Sequence, residues 1–369
     1  MSHSLRILHL SDYHERAAKE PDPAERHYVF GENWQKNVMD IFTDCDRTAP
    51  VDLVCFTGDL AFSGREDEYA EAAKFLDDLL TKLKVPRERF FVVPGNHDVD
   101  RTINNPTWEK FRTSLHQADA RKISKWIAGR AAPLGFDANE ADHIIERQRA
   151  YRTWLKDFGR DVLLPDPKTH PRLGYRQTVQ LERLPFPIHV IGLDSAWLAG
   201  DDADAGKLRL TTDQVMRLAN DEQGKPLAGF RLALIHHPLE QLSDGAECRD
   251  LLAERTDALL RGHQHDPRLS LMRDPDRSLL ELAAGCLYEH DRYPNSHHII
   301  DITLDDKGRP LQYDLWFRGW SKRGFWHNQN DLYGCARDGR LTWQVSNSPE
   351  EMPQTNRPQN PCAPLKSPA

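Results

Sequence analysis

Five short polar stretches hold the residues best suited to chemistry: SDYH (11–14), GD (58–59), GNHD (95–98), HHP (236–238) and GHQH (262–265). Each follows a short apolar run. Together they offer the carboxylates of Asp12 and Asp59, the amide of Asn96 and several imidazoles. Carboxylate oxygen, amide oxygen and imidazole nitrogen in one set suit borderline divalent metals such as Mn, Fe, Zn, Co or Ni better than calcium or a sulfur-seeking ion. One ion with open positions would leave donors over, whereas two ions sharing a carboxylate use them all.

The elements that must position these groups are legible around them. Residues 5–10 read as a strand ending at Ser11 and Asp12. VDLVCFTGD (51–59) and RFFVVPGNHD (89–98) are apolar runs that end in polar turns. Between them Tyr69, Ala72, Ala73, Leu76, Leu79, Leu80 and Leu83 recur at helical spacing, with Ser63 and Glu66 as a capping box. A strand–helix–strand unit of this kind pairs its strands in parallel. Ligands of α/β proteins bind at the carboxyl ends of such strands, so Asp12, Asp59 and Asn96 are expected along one edge. A helix is expected near 34–42, after a polar stretch containing Pro21 and Pro23. Further strand signals lie at 187–195, 231–238, 257–265 and 278–288, and 297–319 reads as a hairpin.

The five blocks in this order resemble the signature of the calcineurin-like metallophosphoesterases: D-x-H, G-D, G-N-H-D/E, H and G-H-x-H. The resemblance runs from Asp12 to His265. It implies an α/β fold of two mixed β-sheets packed as a sandwich and flanked by helices. It also implies roles. Asp12, His14 and His265 would hold one metal. Asn96, His236 and His263 would hold the other, and Asp59 would bridge both. His236 is preferred to His237 because the family's ligand usually precedes x-Pro. His97 would protonate the leaving oxygen while the two ions, Mn, Fe or Zn, clamp the phosphate and acidify a bridging water into hydroxide. Asp98, Asp194 and His237 are candidates for supporting the site or meeting substrate, although Asp194 also reads as a helix cap.

One departure stands out. Many protein phosphatases of the family carry G-D-x-x-D, whose second Asp orients the catalytic histidine. Here that place is Phe62, so either Asp98 or Glu66 supports His97 or it works unassisted. FTGDLAFSG with IHHP looks most like the bacterial branch that includes cyclic-nucleotide phosphodiesterases. The expected activity is hydrolysis of a phosphodiester such as a cyclic nucleotide. The alternatives are a phosphomonoesterase, including a Ser/Thr protein phosphatase, and a non-catalytic metal-stabilised interaction module.

The expected domain spans 1–345. Within it 101–185 is a charged helical insertion or cap, which could border the site or only cover a sheet face, and 297–345 is a β-rich extension. Residues 346–369, rich in Pro, Asn and Ser, read as a disordered tail. Of the 369 residues, 39% are hydrophobic and 29% charged, which fits a globular chain. A net charge of −8 gives no support to a nucleic-acid partner. The acidic loop GDDADAG (200–206) could repel anions or simply be solvated. LWFRGWSKRGFW (315–326) could stack bases or pack as a half-buried strand. His9, His189, His290, His297 and His298 read as core or surface histidines. Six cysteines without a C-x-x-C pair read as reduced thiols. With no leader or membrane-length apolar run, the expectation is a cytoplasmic protein with a phosphate-ester substrate and no membrane partner. Oligomeric state is left open.

Overall fold

The computed structural model describes residues 2–43, 50–103, 105–130, 138–201, 203–273, 278–289 and 293–345. The expected tail at 346–369 and His290 lie outside the described residues. Among the described residues, thirteen strands occur in chain order. β1 (His3–Leu10), β2 (Leu53–Phe56) and β3 (Phe90–Val92) come first. β4 (Tyr175–Val179), β5 (Ile188–Gly192), β6 (Phe230–Leu234) and β7 (Ala258–Arg261) follow. Then come β8 (Arg268–Arg273), β9 (Ser278–Ala283), β10 (Ser296–Leu304), β11 (Pro310–Ser321), β12 (Phe325–Asn328) and β13 (Arg340–Gln344).

They form two mixed sheets. One runs β12-β11-β10-β1-β2-β3, with β13 also paired to β11. Its β1, β2 and β3 are parallel, while β10 lies antiparallel to β1. The other runs β4-β5-β6-β7-β9-β8, with β5, β6, β7 and β9 parallel. Period-two alternation explains how the layers meet. Ile188, Val190, Leu232, Leu234 and Leu260 share a core with Leu5, Ile7, Leu53 and Ile300 of the first sheet. Their neighbours Ile191, Ala233 and Leu259 join a second core with Val215, Leu218, Cys248 and Leu252, from helices Thr212–Leu218 and Gly245–Arg255. Both faces of these strands are therefore buried, which is why they read as unbroken apolar runs.

The helix Glu66–Leu83 buries Tyr69, Ala72, Leu76, Leu79, Leu80 and Leu83, the face its spacing predicts. Its start differs from expectation. The Glu68 carboxylate, not that of Glu66, accepts the backbone N–H groups of Ser63 and Arg65, at 2.9 and 3.1 Å. The polar stretch after β1 contains an unforeseen helix, Pro23–Phe30, with Asp22 accepting the Glu25 N–H and Pro23 in the first turn. Between 101 and 185 lie helices Asn105–Gln117, Ala120–Ile127, Ala138–Ile145 and Arg149–Asp157. Trp154 of the last stacks on Tyr69 at 5.4 Å. The same stretch ends in β4, a short edge strand whose half-exposed YRQTV gave no apolar signal. In LWFRGWSKRGFW, Trp316, Phe317 and Trp326 are buried, and Arg318 bonds Asn37 and Asn328, so this segment packs.

Candidate active site

The parallel pairing of β1 and β2 continues past both strands as a ladder between loops. Asp12 donates its N–H to the Gly58 carbonyl, Tyr13 and His14 to Asp59, and Glu15 to Leu60; Phe62 donates back to Glu15. On the other flank Leu287 and Tyr288 donate to Ser11 and Asp12. The segments 11–16, 58–62 and 287–289 thus lie side by side. Register alone sets Asp12 beside Asp59, and Arg16 beside Phe62.

The backbone at these groups is unusual. Asp12, His14, Asp59, His263 and His265 all adopt positive φ, between 49° and 75°. Non-glycine residues in this region carry strain that persists only when the surroundings enforce it, and such strain gathers at functional sites. Two glycines allow the crowding. A Cβ on Gly95 would stand 2.1 Å from an Asp59 oxygen, and one on Gly262 would stand 2.0 Å from the Ser11 hydroxyl.

The sequence-predicted residues converge. Asp59 Oδ2 lies 3.5 Å from His14 Nε2 and 3.2 Å from His236 Nε2. Asn96 Oδ1 stands 3.1 Å from His236 Nε2 and 3.0 Å from His263 Nδ1. His265 Nε2 lies 3.1 Å from Asp12 Oδ1. His236 Nδ1 donates to the Thr57 carbonyl at 2.7 Å, which turns its Nε2 into the cluster. His237 stays beside the cluster: its Nδ1 lies 2.8 Å from the Ser195 hydroxyl, its ring is 4.6 Å from that of His263, it lines the cavity, and ligand atoms of His236, His237 and His263 lie within 4.8 Å of one another.

Burial opposes ionisation of Asp12, yet the charge and hydrogen bond of His265 hold its carboxyl down at about 2. Asp59, also against burial, is held well below the carboxylate range by His236 and His97. Burial, helped by the charge of His236, pushes His263 down to about 4. The donor set fits cations. Two carboxylates buried to within 1% of full closure face imidazoles instead of Lys or Arg, and the buried His14 Nε2 has no hydrogen-bond partner among the described residues. Ligand atoms of His14, Asp59 and His97, and separately of Asp12, Asp59 and His236, lie within 4.8 Å of one another, a spacing that can hold a metal.

His97 sits at the rim, its ring 4.9 Å from that of His14. Its Nδ1 lies 2.7 Å from the Phe62 backbone carbonyl. A carbonyl can only accept, so Nδ1 carries the proton there. Neither Asp98 nor Glu66 supports this ring. Asp98 accepts the N–H groups of Asp59, Ala61 and Gly95 and the Tyr69 hydroxyl, at 2.8 to 3.0 Å, tying the G-D and G-N-H-D turns together. Burial and the Asp59 charge raise its carboxyl to about 6. Burial lowers His97.

The cluster opens into a cavity of about 1330 Å³, lined among others by His97, Phe62, Arg65, Arg101, Arg149, Asp201, Asp204 and Tyr293. Two carboxylates of the acidic loop are tied down by a cation. Asp201 and Asp204 both pair with Arg112 of the helix Asn105–Gln117. Asp194 does not line this cavity. It accepts the Ala196 N–H at 2.9 Å in a turn, so it caps no helix. Several residues at the site went unread in the sequence, among them Arg16, Ser195, Cys286 and Glu289. The first three gave no signal. Glu289 follows the apolar run LLELAAGCLY, the same strand-then-polar pattern that marks the five blocks.

The sequence pattern of the calcineurin-like phosphoesterase family matches residues 5–267. The chain belongs to that family. Its members use pairs of divalent ions, and this phosphoesterase is a metal-dependent hydrolase of phosphate esters. Solved structures with a similar fold include a dimetal phosphatase from Danio rerio, with 13% identity over 88% of this chain and 98% of that one, at a TM-score of 0.41. The calcineurin-like phosphoesterase YfkN from Bacillus subtilis shares 14% identity over 89% of each chain, at 0.38. A putative 5'-nucleotidase from Staphylococcus aureus shares 13% over 84% of this chain and 52% of its own, at 0.41. Curated proteins offer no match to the sequence. Among the described residues no helix is long and apolar enough to cross a membrane.

Proposed function

We propose that the cluster holds two divalent ions and hydrolyses a phosphodiester, a cyclic nucleotide being one such substrate. Asp12, His14 and His265 hold the first ion, Asn96, His236 and His263 the second, and Asp59 both. The observation that carries this reading is Asp59 Oδ2, which lies between His14 Nε2 and His236 Nε2 of two different donor sets. Oxygen and imidazole donors in this mixture suit Mn, Fe or Zn. When bound, the ion pair supplies positive charge for the phosphate and acidifies the attacking water.

The chain supplies the rest. Asn96 fixes the position of its neighbour His97. With Nδ1–H held by the Phe62 carbonyl, Nε2 of the protonated ring can donate to the leaving oxygen. As the water oxygen bonds to phosphorus and the P–O bond to the leaving group breaks, the leaving oxygen takes the proton of His97, giving an alcohol and a phosphomonoester, which for a cyclic nucleotide are two groups of one molecule. Burial lowers the imidazole's affinity for the proton and so eases its release. A diester is supported by the likeness of FTGDLAFSG and IHHP to cyclic-nucleotide phosphodiesterases. The cavity, about 1330 Å³, also leaves room for substituents on both sides of a phosphate. The buried free thiols Cys55, Cys248 and Cys286 suit a reducing compartment such as the cytoplasm.

The test uses chelator-stripped protein refilled with Mn²⁺, Zn²⁺ or Fe²⁺, comparing bis-p-nitrophenyl phosphate with p-nitrophenyl phosphate. Metal-dependent cleavage favouring the diester is expected. A preference for the monoester would replace this reading with a phosphomonoesterase.

A further inference from the structure

His97 lacks the carboxylate that orients its counterpart in the family's protein phosphatases, and a neutral carbonyl stands in for it. A lone backbone oxygen fixes one ring nitrogen but does not by itself stop the ring from tilting. The surroundings of Phe62 supply what is missing. The Phe62 ring lies along the imidazole of His97, centroids 5.0 Å apart and planes 26° apart. The Arg16 guanidinium lies over the Phe62 ring, 3.8 Å from its centre. Arg16 in turn meets Glu289, Nη2 to Oε1, at 3.2 Å. The second oxygen of Glu289, Oε2, stands 2.8 Å from His14 Nδ1.

We infer that Glu289 and Arg16 are positioning residues that hold the general acid and a metal ligand in one relative geometry. One carboxylate anchors both arms: His14 directly, and His97 through Arg16 and Phe62. The inference rests on the proposed roles of His14 and His97.

The ladder of the loops makes the arrangement a consequence of register. Phe62 donates its N–H to the Glu15 carbonyl, which sets the next residue, Arg16, alongside its ring. Tyr288 donates to the Asp12 carbonyl, which sets Glu289 two residues along from Asp12, at His14. Burial favours fixed geometry. Arg16 is 8% exposed and the Glu289 side chain 15%. A planar guanidinium on an aromatic face, partly shielded from water, is an attractive contact. A carboxylate on the outer nitrogen of a ligand histidine fixes its orientation and raises its basicity. Because His14 and His97 are themselves in edge-to-face contact at 4.9 Å, the two arms close into a ring of contacts: Glu289, Arg16, Phe62, His97, His14.

The test has two readouts. In metal-free protein, ¹⁵N-imidazole NMR reports which nitrogen of His97 carries the proton. The unmodified chain should show a single Nδ1–H tautomer, and Arg16→Met and Phe62→Leu should each show a mixture. In metal-loaded protein, the ratio of rates for an activated p-nitrophenyl diester and an unactivated alkyl diester reports general-acid assistance. His97→Ala sets the upper limit of that ratio. Arg16→Met and Phe62→Leu should each raise it roughly tenfold, and Arg16→Lys, which keeps charge but not the planar face, by less. Glu289→Gln should also weaken Mn²⁺ binding roughly tenfold by calorimetry. If His97→Ala raises the ratio while Arg16→Met and Phe62→Leu change neither ratio nor tautomer, the positioning role is wrong. If His97→Ala leaves the ratio unchanged, the general-acid reading itself fails and the inference falls with it.

Discussion

Two histidine-rich regions of this chain differ in what their rings face. At the strand ends, His14, His236, His263 and His265 face Asp12, Asp59 and Asn96. Inside the first sheet, His9 of β1 and His298 of β10 are register partners, with His297 next to them. These three are buried, as are His14 and His236, whereas His263 and His265 are half-buried at the cavity. Yet His9 Nε2 meets the Thr57 hydroxyl at 3.0 Å, His297 Nε2 accepts from the Asn37 amide at 2.8 Å, and neither nitrogen of His298 has a hydrogen-bond partner among the described residues. Aromatic edges complete the second set, with Phe317 4.9 Å from His298 and Trp34 5.4 Å from His297. Residues inside a strand ladder have φ/ψ fixed by pairing. Only past its end can the backbone turn through positive φ and aim neighbouring donors at one point, as Asp12 and His14 do. Burial favours the neutral form of a histidine; convergence with carboxylates equips it to bind a metal.

The comparison breaks most sharply at Asp59, the carboxylate proposed to serve both ions. Asp59→Asn should lower turnover on the order of a thousandfold and reduce bound metal, read by steady-state kinetics beside metal analysis. Two full sites in that variant would remove Asp59 from its bridging role. A smaller loss is expected for His97→Ala, roughly a hundredfold on an alkyl ester with both metals retained. Equal slowing of activated and unactivated esters would count against proton donation.

The second region should be silent in both assays and show itself in acid stability. Burial pushes His298 down to about 3, whereas in the unfolded chain it titrates near 6.5. Between those values the unfolded state binds the extra proton, so stability falls as pH drops through this window. The slope is about 1.4 kcal/mol per pH unit for one group. His298→Leu should remove that contribution without changing metal content. Urea unfolding in chelator at pH 6.5 and pH 4.5 would show it, and identical pH dependence in both proteins would mean His298 is not buried as a neutral ring.

Much of this site was legible in the sequence because each donor follows an apolar run, and parallel strands bring such ends together. Asp12, Asp59 and Asn96 were placed on one edge by that logic alone. The polar partner of His97 was not legible, because a backbone carbonyl carries no residue type; Phe62 registered only as a missing carboxylate. Arg16 and Glu289 meet across 273 positions through loops paired to a common strand end, and no local spacing encodes that. Strands were missed where they lie at sheet edges with polar sequence, as in β4 and β8, whose alternation is too weak to see. The helix Pro23–Phe30 was hidden by its prolines, which read as breakers although one of them opens the helix.

The central claim is a dinuclear centre built on Asp59, and titration calorimetry of the chelator-stripped chain with Mn²⁺ tests it most directly. The account predicts two ions per chain for the unmodified protein and for His298→Leu, and fewer than two for Asp59→Asn. A single ion in the unmodified protein, or two in Asp59→Asn, would contradict it.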